Sequence, residues 1–143
     1  MKTADSVILM NEELTEEKSQ HYRVLVVDDN KDCAKTMTWV MEMLGHTAQM
    51  ALDGQSAIAL AKSFRPDVVL LDIGLPEMNG YEICQAMRKE SILHKTLFIA
   101  LTGWGQKEHR ERTKEAGFDY HLVKPVDIAM LKNIFLAFNY ERP

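Results

Sequence analysis

The sequence predicts an α/β domain in which a doubly wound, five-stranded parallel sheet carries helices on both faces. Three observations support this fold class. Short apolar runs alternate with segments of helical periodicity from Arg23 onward. The runs are almost wholly apolar, which is typical of strands buried on both faces of a parallel sheet. The alternation repeats five times, and repeated strand–helix units connect through right-handed crossovers.

The first two strand–helix units lie in the first half of the chain. The β-branched-rich run 24–27 predicts the first strand. The apolar spacing of 31–44, which Gly45 ends, predicts the first helix. A second strand at 46–52 leads into a second helix at 54–64, whose small and apolar side chains form one stripe.

The next two units are predicted by the same signals. The run 67–72 is the most apolar of all and predicts the third strand, and apolar spacing predicts a helix at 79–89. The fourth strand is predicted at 97–101. A strongly charged helix at 106–116 follows and is closed by Gly117.

The fifth unit consists of a strand at 120–123 and a helix at 126–138. We therefore expect one domain over residues 23–138, the size of an ordinary single domain. Residues 1–22 hold two Lys and five acidic residues, and we interpret them as an acidic N-terminal extension. Residues 139–143 are expected to be a short C-terminal tail.

Composition excludes several classes of protein. The 143 residues are 46% hydrophobic and 27% charged, with a formal charge of -4. The pI of about 5.7 argues against a nucleic-acid partner, because such binding depends on clustered Lys and Arg. The longest apolar runs are far short of the roughly 20 residues of a bilayer-spanning helix, so no membrane association is expected.

The two cysteines indicate a reducing compartment. Cys33 and Cys84 lie far apart, with no CxxC or Cys/His spacing that would suggest a zinc site. We expect two reduced thiols and a cytoplasmic protein.

Polar residues follow the predicted strands where each of them ends. Asp28 and Asp29 follow the first strand, and Asp72 ends the third. In a flavodoxin-like order of 2-1-3-4-5 these acids meet in one crevice, where a divalent cation such as Mg²⁺ would relieve their repulsion. Thr102 and Lys124, at the ends of the fourth and fifth strands, point to the same edge. Such a site suits phosphoryl transfer.

These residues resemble the receiver domains of bacterial two-component response regulators. The resemblance runs from about residue 23 to 138 and rests on four motifs in order. The motifs are Val-Val-Asp28-Asp29-Asn, Leu-Leu-Asp72-Ile-Gly-Leu-Pro76-Glu-Met-Asn-Gly80, Ala-Leu-Thr102-Gly and Val-Lys124-Pro125.

The resemblance implies that Asp72 accepts a phosphoryl group from a phosphohistidine and becomes an aspartyl phosphate. Asp28, Asp29, Asp72 and the backbone carbonyl of Gly74 would hold Mg²⁺, for which Mn²⁺ is a possible substitute. Lys124 would neutralise the transferred group. The chain would be a phosphoacceptor with autodephosphorylation and not a turnover enzyme.

Further roles follow from the same resemblance. Thr102 would donate a hydrogen bond to the phosphoryl group. Pro76 and Gly80 would shape the turn after the acceptor strand. The peptide bond before Pro125 would be cis.

Three positions depart from the commonest pattern of the family: His121, Gly103 and Trp104. The switch aromatic falls at His121, with Tyr120 one place earlier, so the inward swing that accompanies Thr102 would become sensitive to pH. Gly74 and Trp104 occupy the places that tune dephosphorylation, where a bulky indole would exclude the attacking water.

The resemblance also implies partners. A sensor histidine kinase or a histidine phosphotransfer protein would dock beside the crevice, on Asn30, Cys33 and Met37 of the first helix. The fourth helix, fifth strand and fifth helix would signal to a downstream protein or to a second copy. Met41 and Met43, like Met37, are otherwise expected to be buried or half-buried packing residues.

Alternatives remain open at this point. The chain is either a single-domain regulator or the receiver of a hybrid histidine kinase. A haloacid-type phosphatase would use similar groups but needs an Asp-x-Asp motif, whereas this chain has Asp72-Ile73-Gly74. A phosphate-independent protein-binding module is the third possibility.

Overall fold

In the computed structural model, residues 21–75, 79–103 and 107–141 are described, and five strands and five helices alternate along them. The strands are β1 (Arg23–Val27), β2 (Thr47–Ala51), β3 (Val68–Asp72), β4 (Leu97–Thr102) and β5 (Tyr120–Val123). The helices are α1 (Lys31–Met43), α2 (Gly54–Phe64), α3 (Gly80–Arg88), α4 (Lys107–Ala116) and α5 (Ile128–Glu141).

All five strands are parallel and lie in the order β2-β1-β3-β4-β5. The predicted fold class and strand order are therefore confirmed. The chain divides into two compact units. One of them, residues 22–126, contains the whole sheet with α1 to α4, and α5 belongs to the other.

The core of residues 22–126 forms around the three central strands. Every residue of β4 is buried, as are all of β1 except Arg23 and all of β3 except the half-buried Asp72. One face of the sheet contributes alternate strand residues to a single cluster: Leu25, Val27, Val69, Leu71, Phe98 and Ala100. The helices α2 and α3 cover this face with Ala57, Ala61, Ile83, Cys84 and Met87. Burial on both faces explains the continuous apolar runs of the sequence.

Short polar side chains fix where the first three helices begin. The side chains of Asn30, Asp53 and Asn79 accept the backbone N–H of the third residue after them, at 3.1, 2.7 and 3.0 Å. Each of these residues has an extended backbone, as an N-cap requires. α3 consequently starts at Gly80, one residue later than predicted.

The last helix differs most from its prediction. The Asp127 carboxylate accepts the N–H groups of Ala129 and Met130 at 2.9 and 3.3 Å, so the helix begins at Ile128 and not at residue 126. It continues to Glu141, because residues 139–141 contain no glycine or proline to end it. The predicted boundary at residue 138 lies inside this helix.

Smaller differences occur at other boundaries. α1 ends at Met43, since Leu44 takes a non-helical conformation and Gly45 follows with φ of 96°. A 3₁₀ helix, Ser91–Leu93, buries Leu93 before β4 and is not predicted from the sequence. In the described ranges we find no helix that is both long enough and apolar enough to cross a membrane.

Candidate functional site

The sheet brings two carboxylates together at its carboxyl edge. β1 and β3 are paired, with Val27 opposite Leu71, so Asp28 and Asp72 extend from neighbouring strands. Together with Asp29 they offer carboxylate oxygens that all lie within 4.8 Å of one another. Asp28 is buried, Asp72 is half-buried and Asp29 is exposed. The cluster opens to solvent on the side of Asp29.

The ammonium group of Lys124 bridges the two less exposed acids. Its Nζ lies 2.7 Å from Asp28 Oδ2 and 3.0 Å from Asp72 Oδ2. Partial desolvation lowers the pKa of Lys124, but the hydrogen bonds and charges of Asp28 and Asp72 outweigh this effect and raise the pKa above its usual value. Lys124 is therefore a permanent cation in the site.

A backbone hydrogen bond positions Lys124, which directly follows the edge strand β5. Its N–H donates to the carbonyl of Thr102 at 2.7 Å, just beyond the paired residues Thr102 and Val123. The Lys124–Pro125 peptide bond is cis, the isomer that the resemblance implies. Thr102 is the last residue of β4 and is buried, so its side chain belongs to the same edge of the sheet.

Backbone N–H groups orient the carboxylates. The N–H of Asn30 donates to Asp28 Oδ1 at 3.0 Å, and the N–H of Gly74 donates to Asp72 Oδ1 at 2.8 Å. Each carboxylate thus has one oxygen on a backbone donor and the other on Lys124. Sequence reasoning missed both N–H donors, because every residue type except proline offers this group.

The start of α3 is packed tightly against the residue after Asp72. The N–H of Gly80 donates to the carbonyl of Ile73 at 3.2 Å. A Cβ atom on Gly80 would lie only 2.5 Å from Ile73 Cα and 3.0 Å from the carbonyl oxygen of Asp72. Only glycine fits at this contact. Pro76, which is predicted to shape this turn together with Gly80, lies outside the described residues. Trp104, which is predicted to tune dephosphorylation, also lies outside them.

His121 and Tyr120, the predicted switch residues besides Thr102, lie on β5. Successive strand residues face opposite sides, so His121 and Tyr120 point to different faces. His121 is half-buried, and its Nδ1 lies 3.3 Å from Thr113 Oγ1 of α4. Tyr120 is also half-buried. The structure therefore brings His121 into contact with α4.

The proposed partner-binding residues occupy the beginning of α1. Asn30 caps this helix beside the acid cluster, Cys33 is exposed and Met37 is half-buried. The packing expectation is met by Met41, which is fully buried, but it is wrong for Met43, which is 84% exposed at the last position of the helix. Residues two positions apart on a helix face different sides, so the side of α1 that buries Met41 leaves Met43 exposed.

The charge balance of the cluster decides what it can bind. Three carboxylates and one ammonium group leave two net negative charges at the edge of the sheet. Oxygen ligands with this balance fit a hard divalent cation. The same groups could stabilise the charge of a phosphoryl group.

Comparison with known sequences identifies the family. Residues 24–135 match the response regulator receiver domain family. The DNA-binding dual master transcriptional regulator RpaA of Synechocystis is 32% identical over 106 residues, which make up 74% of this chain and 44% of RpaA. The polar-differentiation response regulator DivK of Brucella anthropi is 30% identical over 105 residues, 73% of this chain and 85% of DivK. The chain thus spans less than half the length of RpaA.

Solved structures agree with this result. The chemotaxis protein CheY4 of Vibrio cholerae is 30% identical with a TM-score of 0.76, over 80% of this chain and 97% of CheY4. The BeF3-activated DrrB receiver domain is 30% identical with a TM-score of 0.73, over 86% of this chain and all (100%) of that domain. With the family match covering most of its length, the chain belongs to the response regulator receiver domain family.

Proposed function

We propose that this protein is the phosphoacceptor of a two-component system or phosphorelay, and that Asp72 takes a phosphoryl group from a phosphohistidine of a sensor histidine kinase or histidine phosphotransfer protein. The observation that carries the proposal is the bridge from Lys124 Nζ to Asp28 and Asp72, at 2.7 and 3.0 Å. A fixed cation beside a half-buried carboxylate is what phosphoryl transfer to that carboxylate requires.

Mg²⁺ is the metal that we assign to the site. Asp28, Asp29, Asp72 and the carbonyl of Gly74 would hold it, with Mn²⁺ as a substitute. The donor set is all oxygen, and the two net negative charges match a divalent cation. When bound, the metal would supply charge neutralisation for the transferred group.

The chemistry at Asp72 is a single displacement. One carboxylate oxygen forms a bond to phosphorus while the P–N bond to histidine breaks, and its electron pair returns to the imidazole nitrogen. The Lys124 ammonium neutralises the phosphoryl oxygens, and the Thr102 hydroxyl donates a hydrogen bond to one of them. The Gly74 N–H holds the Asp72 carboxylate in orientation before the transfer.

The output of the reaction would be a change at α4 and β5. His121 of β5 lies 3.3 Å from Thr113 of α4, which supports a coupling between this strand and this helix. A downstream protein or a second copy of the chain would read that change. A cytoplasmic location, consistent with two free cysteines, belongs to the same proposal.

The test uses the purified protein with Mg²⁺ and acetyl phosphate as the small phosphodonor. We expect one acid-stable, base-labile phosphate, mapped to Asp72 by mass spectrometry, and none in Asp72→Asn. Chelation of Mg²⁺ by EDTA should abolish labelling. Asp53→Asn is the matched control, because Asp53 is an exposed carboxylate that only caps α2.

Two results would overturn the proposal. One is an unchanged level of phosphate in Asp72→Asn. The other is sustained hydrolysis of small phosphate esters, which would favour a phosphatase. We expect no such turnover, because Gly74 stands where the phosphatase motif needs a second acid.

A further inference from the structure

The helix α4 is held by few apolar contacts. Its sequence, KEHRERTKEA, has alanine as its single hydrophobic residue type. In the half whose side chains are described, 111–116, only Thr113 and Ala116 are buried. A helix with so little apolar burial depends on individual polar contacts for its position.

One such contact joins α4 to α3. The guanidinium carbon of Arg112 lies 4.3 Å from the centre of the Tyr81 ring, which is the geometry of a cation–π interaction. Tyr81 is 8% exposed, and its hydroxyl has no hydrogen-bond partner among the described residues. Within the described part of the chain, the face of the ring is thus the part of Tyr81 that makes a specific contact.

Tyr81 is also connected to the acceptor strand. It follows Gly80, whose N–H donates to the carbonyl of Ile73 and whose Cα lies against the backbone of Asp72 and Ile73. The contact between Gly80 and Ile73 thus involves backbone atoms directly. We expect a displacement at Asp72 to reach Tyr81 through this contact.

The far end of α4 is anchored differently. Arg88 Nη2 donates to the carbonyl of Gly117 at 2.7 Å and to Asp119 at 2.9 Å, and its Nη1 donates to the carbonyl of Thr96 at 2.9 Å. Gly117 directly follows the helix and has φ of 105°. The residue after α4 is therefore held by Arg88, whereas the Arg112 contact found in the described part of the chain lies about one turn earlier.

We propose that the stacking of Arg112 on Tyr81 is a latch that holds α4 in the form in which Asp72 is a carboxylate paired with Lys124. The inference rests on the proposed function. The proposal links the two contacts because the latch and the Lys124–Asp72 pair occur together in this structure. Movement of α4 about Gly117 after phosphorylation would open it. Because coupling is reciprocal, removing the latch should favour occupation of Asp72 by a phosphoryl group or its mimic.

The first measurement is calorimetric binding of beryllofluoride, a phosphoryl mimic, in the presence of Mg²⁺. Arg112→Met should bind it about two- to five-fold more tightly than the unaltered protein, the factor expected for an exposed cation–π contact. Lys114→Met is the matched control, because it removes the same charge from the same helix, and the described ranges show no hydrogen bond, ion pair or ring contact of the Lys114 side chain.

Two variants of Tyr81 test the partner of Arg112. Tyr81→Phe keeps the ring and should bind beryllofluoride as the unaltered protein does. Tyr81→Leu removes the ring, and combining it with Arg112→Met should give no further tightening. Equal affinities for Arg112→Met and Lys114→Met would overturn the latch, and so would additive effects in the double variant.

The second measurement is hydrogen exchange of α4 without any phosphoryl mimic. Exchange should be faster in Arg112→Met than in Lys114→Met, and equal rates would overturn the latch. This readout does not depend on phosphorylation. If the unaltered protein fails to bind beryllofluoride, the proposed function fails and the regulatory role falls with it. Hydrogen exchange then decides separately whether Arg112 holds α4.

Discussion

Gly80 illustrates how a single position can control the geometry of the site. The start of α3 approaches the backbone of Asp72 and Ile73 so closely that no Cβ atom fits. This contact sets the path of the chain after the acceptor residue. A glycine can thus be required by packing, even where its backbone angles are ordinary.

We therefore expect Gly80→Ala to destabilise the fold. A Cβ atom 2.5 Å from Ile73 Cα forces a backbone shift, which costs about 1–3 kcal/mol in a packed site. Gly103→Ala is the control, because nothing lies within 4 Å of its Cβ position. Urea denaturation should show a lower midpoint for Gly80→Ala and an unchanged or higher one for Gly103→Ala. Equal midpoints would contradict the packing argument.

The two thiols differ in their chemistry because they differ in burial. Cys33 is exposed, whereas Cys84 is buried in α3. Desolvation raises the pKa of Cys84 to about 12, and the nearby Arg88 offsets only part of this effect. The thiolate is the reactive form, so Cys84 remains protonated at neutral pH.

Alkylation should separate the two cysteines. At pH 8 we expect iodoacetamide to modify Cys33 and to leave Cys84 unmodified, as mapped by mass spectrometry of proteolytic peptides. The reactivity of Cys84 should keep rising as the pH is raised toward about 12, where its thiolate forms. In urea both cysteines should react. Equal modification of the two cysteines in the native protein would contradict the burial of the Cys84 thiol.

Among the elements, α3 links the site to the rest of the molecule. Its first turn lies on Ile73, its middle contributes to the core and its end carries Arg88. The helix has only nine residues, so its ends matter for its stability. Asn79 caps the start through two bonds with Glu82, to the backbone N–H at 3.0 Å and to the side chain at 3.3 Å.

Loss of this cap should weaken the protein measurably. Asn79→Ala removes the acceptor for the Glu82 N–H and should lower the free energy of unfolding by about 1 kcal/mol. Asn79→Ser restores a capping oxygen and should recover most of that loss. Thermal denaturation followed by circular dichroism measures both variants. A serine variant as unstable as the alanine variant would argue against capping as the cause.

In the molecule as a whole, parallel strands bring distant residues to one edge. Asp28, Asp72 and Lys124 are separated by up to 96 positions in the chain, yet one ammonium group contacts both acids. The cluster keeps two net negative charges at this edge. Binding a divalent cation there should stabilise the folded chain, because only the folded chain assembles the ligands.

We expect Mg²⁺ to raise the thermal midpoint. At a concentration 100 times the dissociation constant, the gain in free energy would be about 2.7 kcal/mol. Asp29→Asn should remove most of the gain, because it deletes one of the three carboxylates. Asp32→Asn is the control, since Asp32 is an exposed acid in the first turn of α1. Equal Mg²⁺ responses of the two variants would exclude Asp29 as a ligand.

The sequence by itself determined the fold class and the identity of the residues at the strand ends. It could do so because burial on both faces leaves a continuous apolar run, and because the carboxyl ends of parallel strands meet at one edge. Asp28, Asp29, Asp72, Thr102 and Lys124 stand out as polar residues directly after such runs.

Only the tertiary structure decided the contacts between elements. The bridge from Lys124 to Asp28 and the stacking of Arg112 on Tyr81 have no local signature. Each depends on where the folded chain places one side chain relative to another that is far away in the sequence. Local patterns record burial and periodicity, whereas contacts of this kind depend on distances that exist only after the chain has folded.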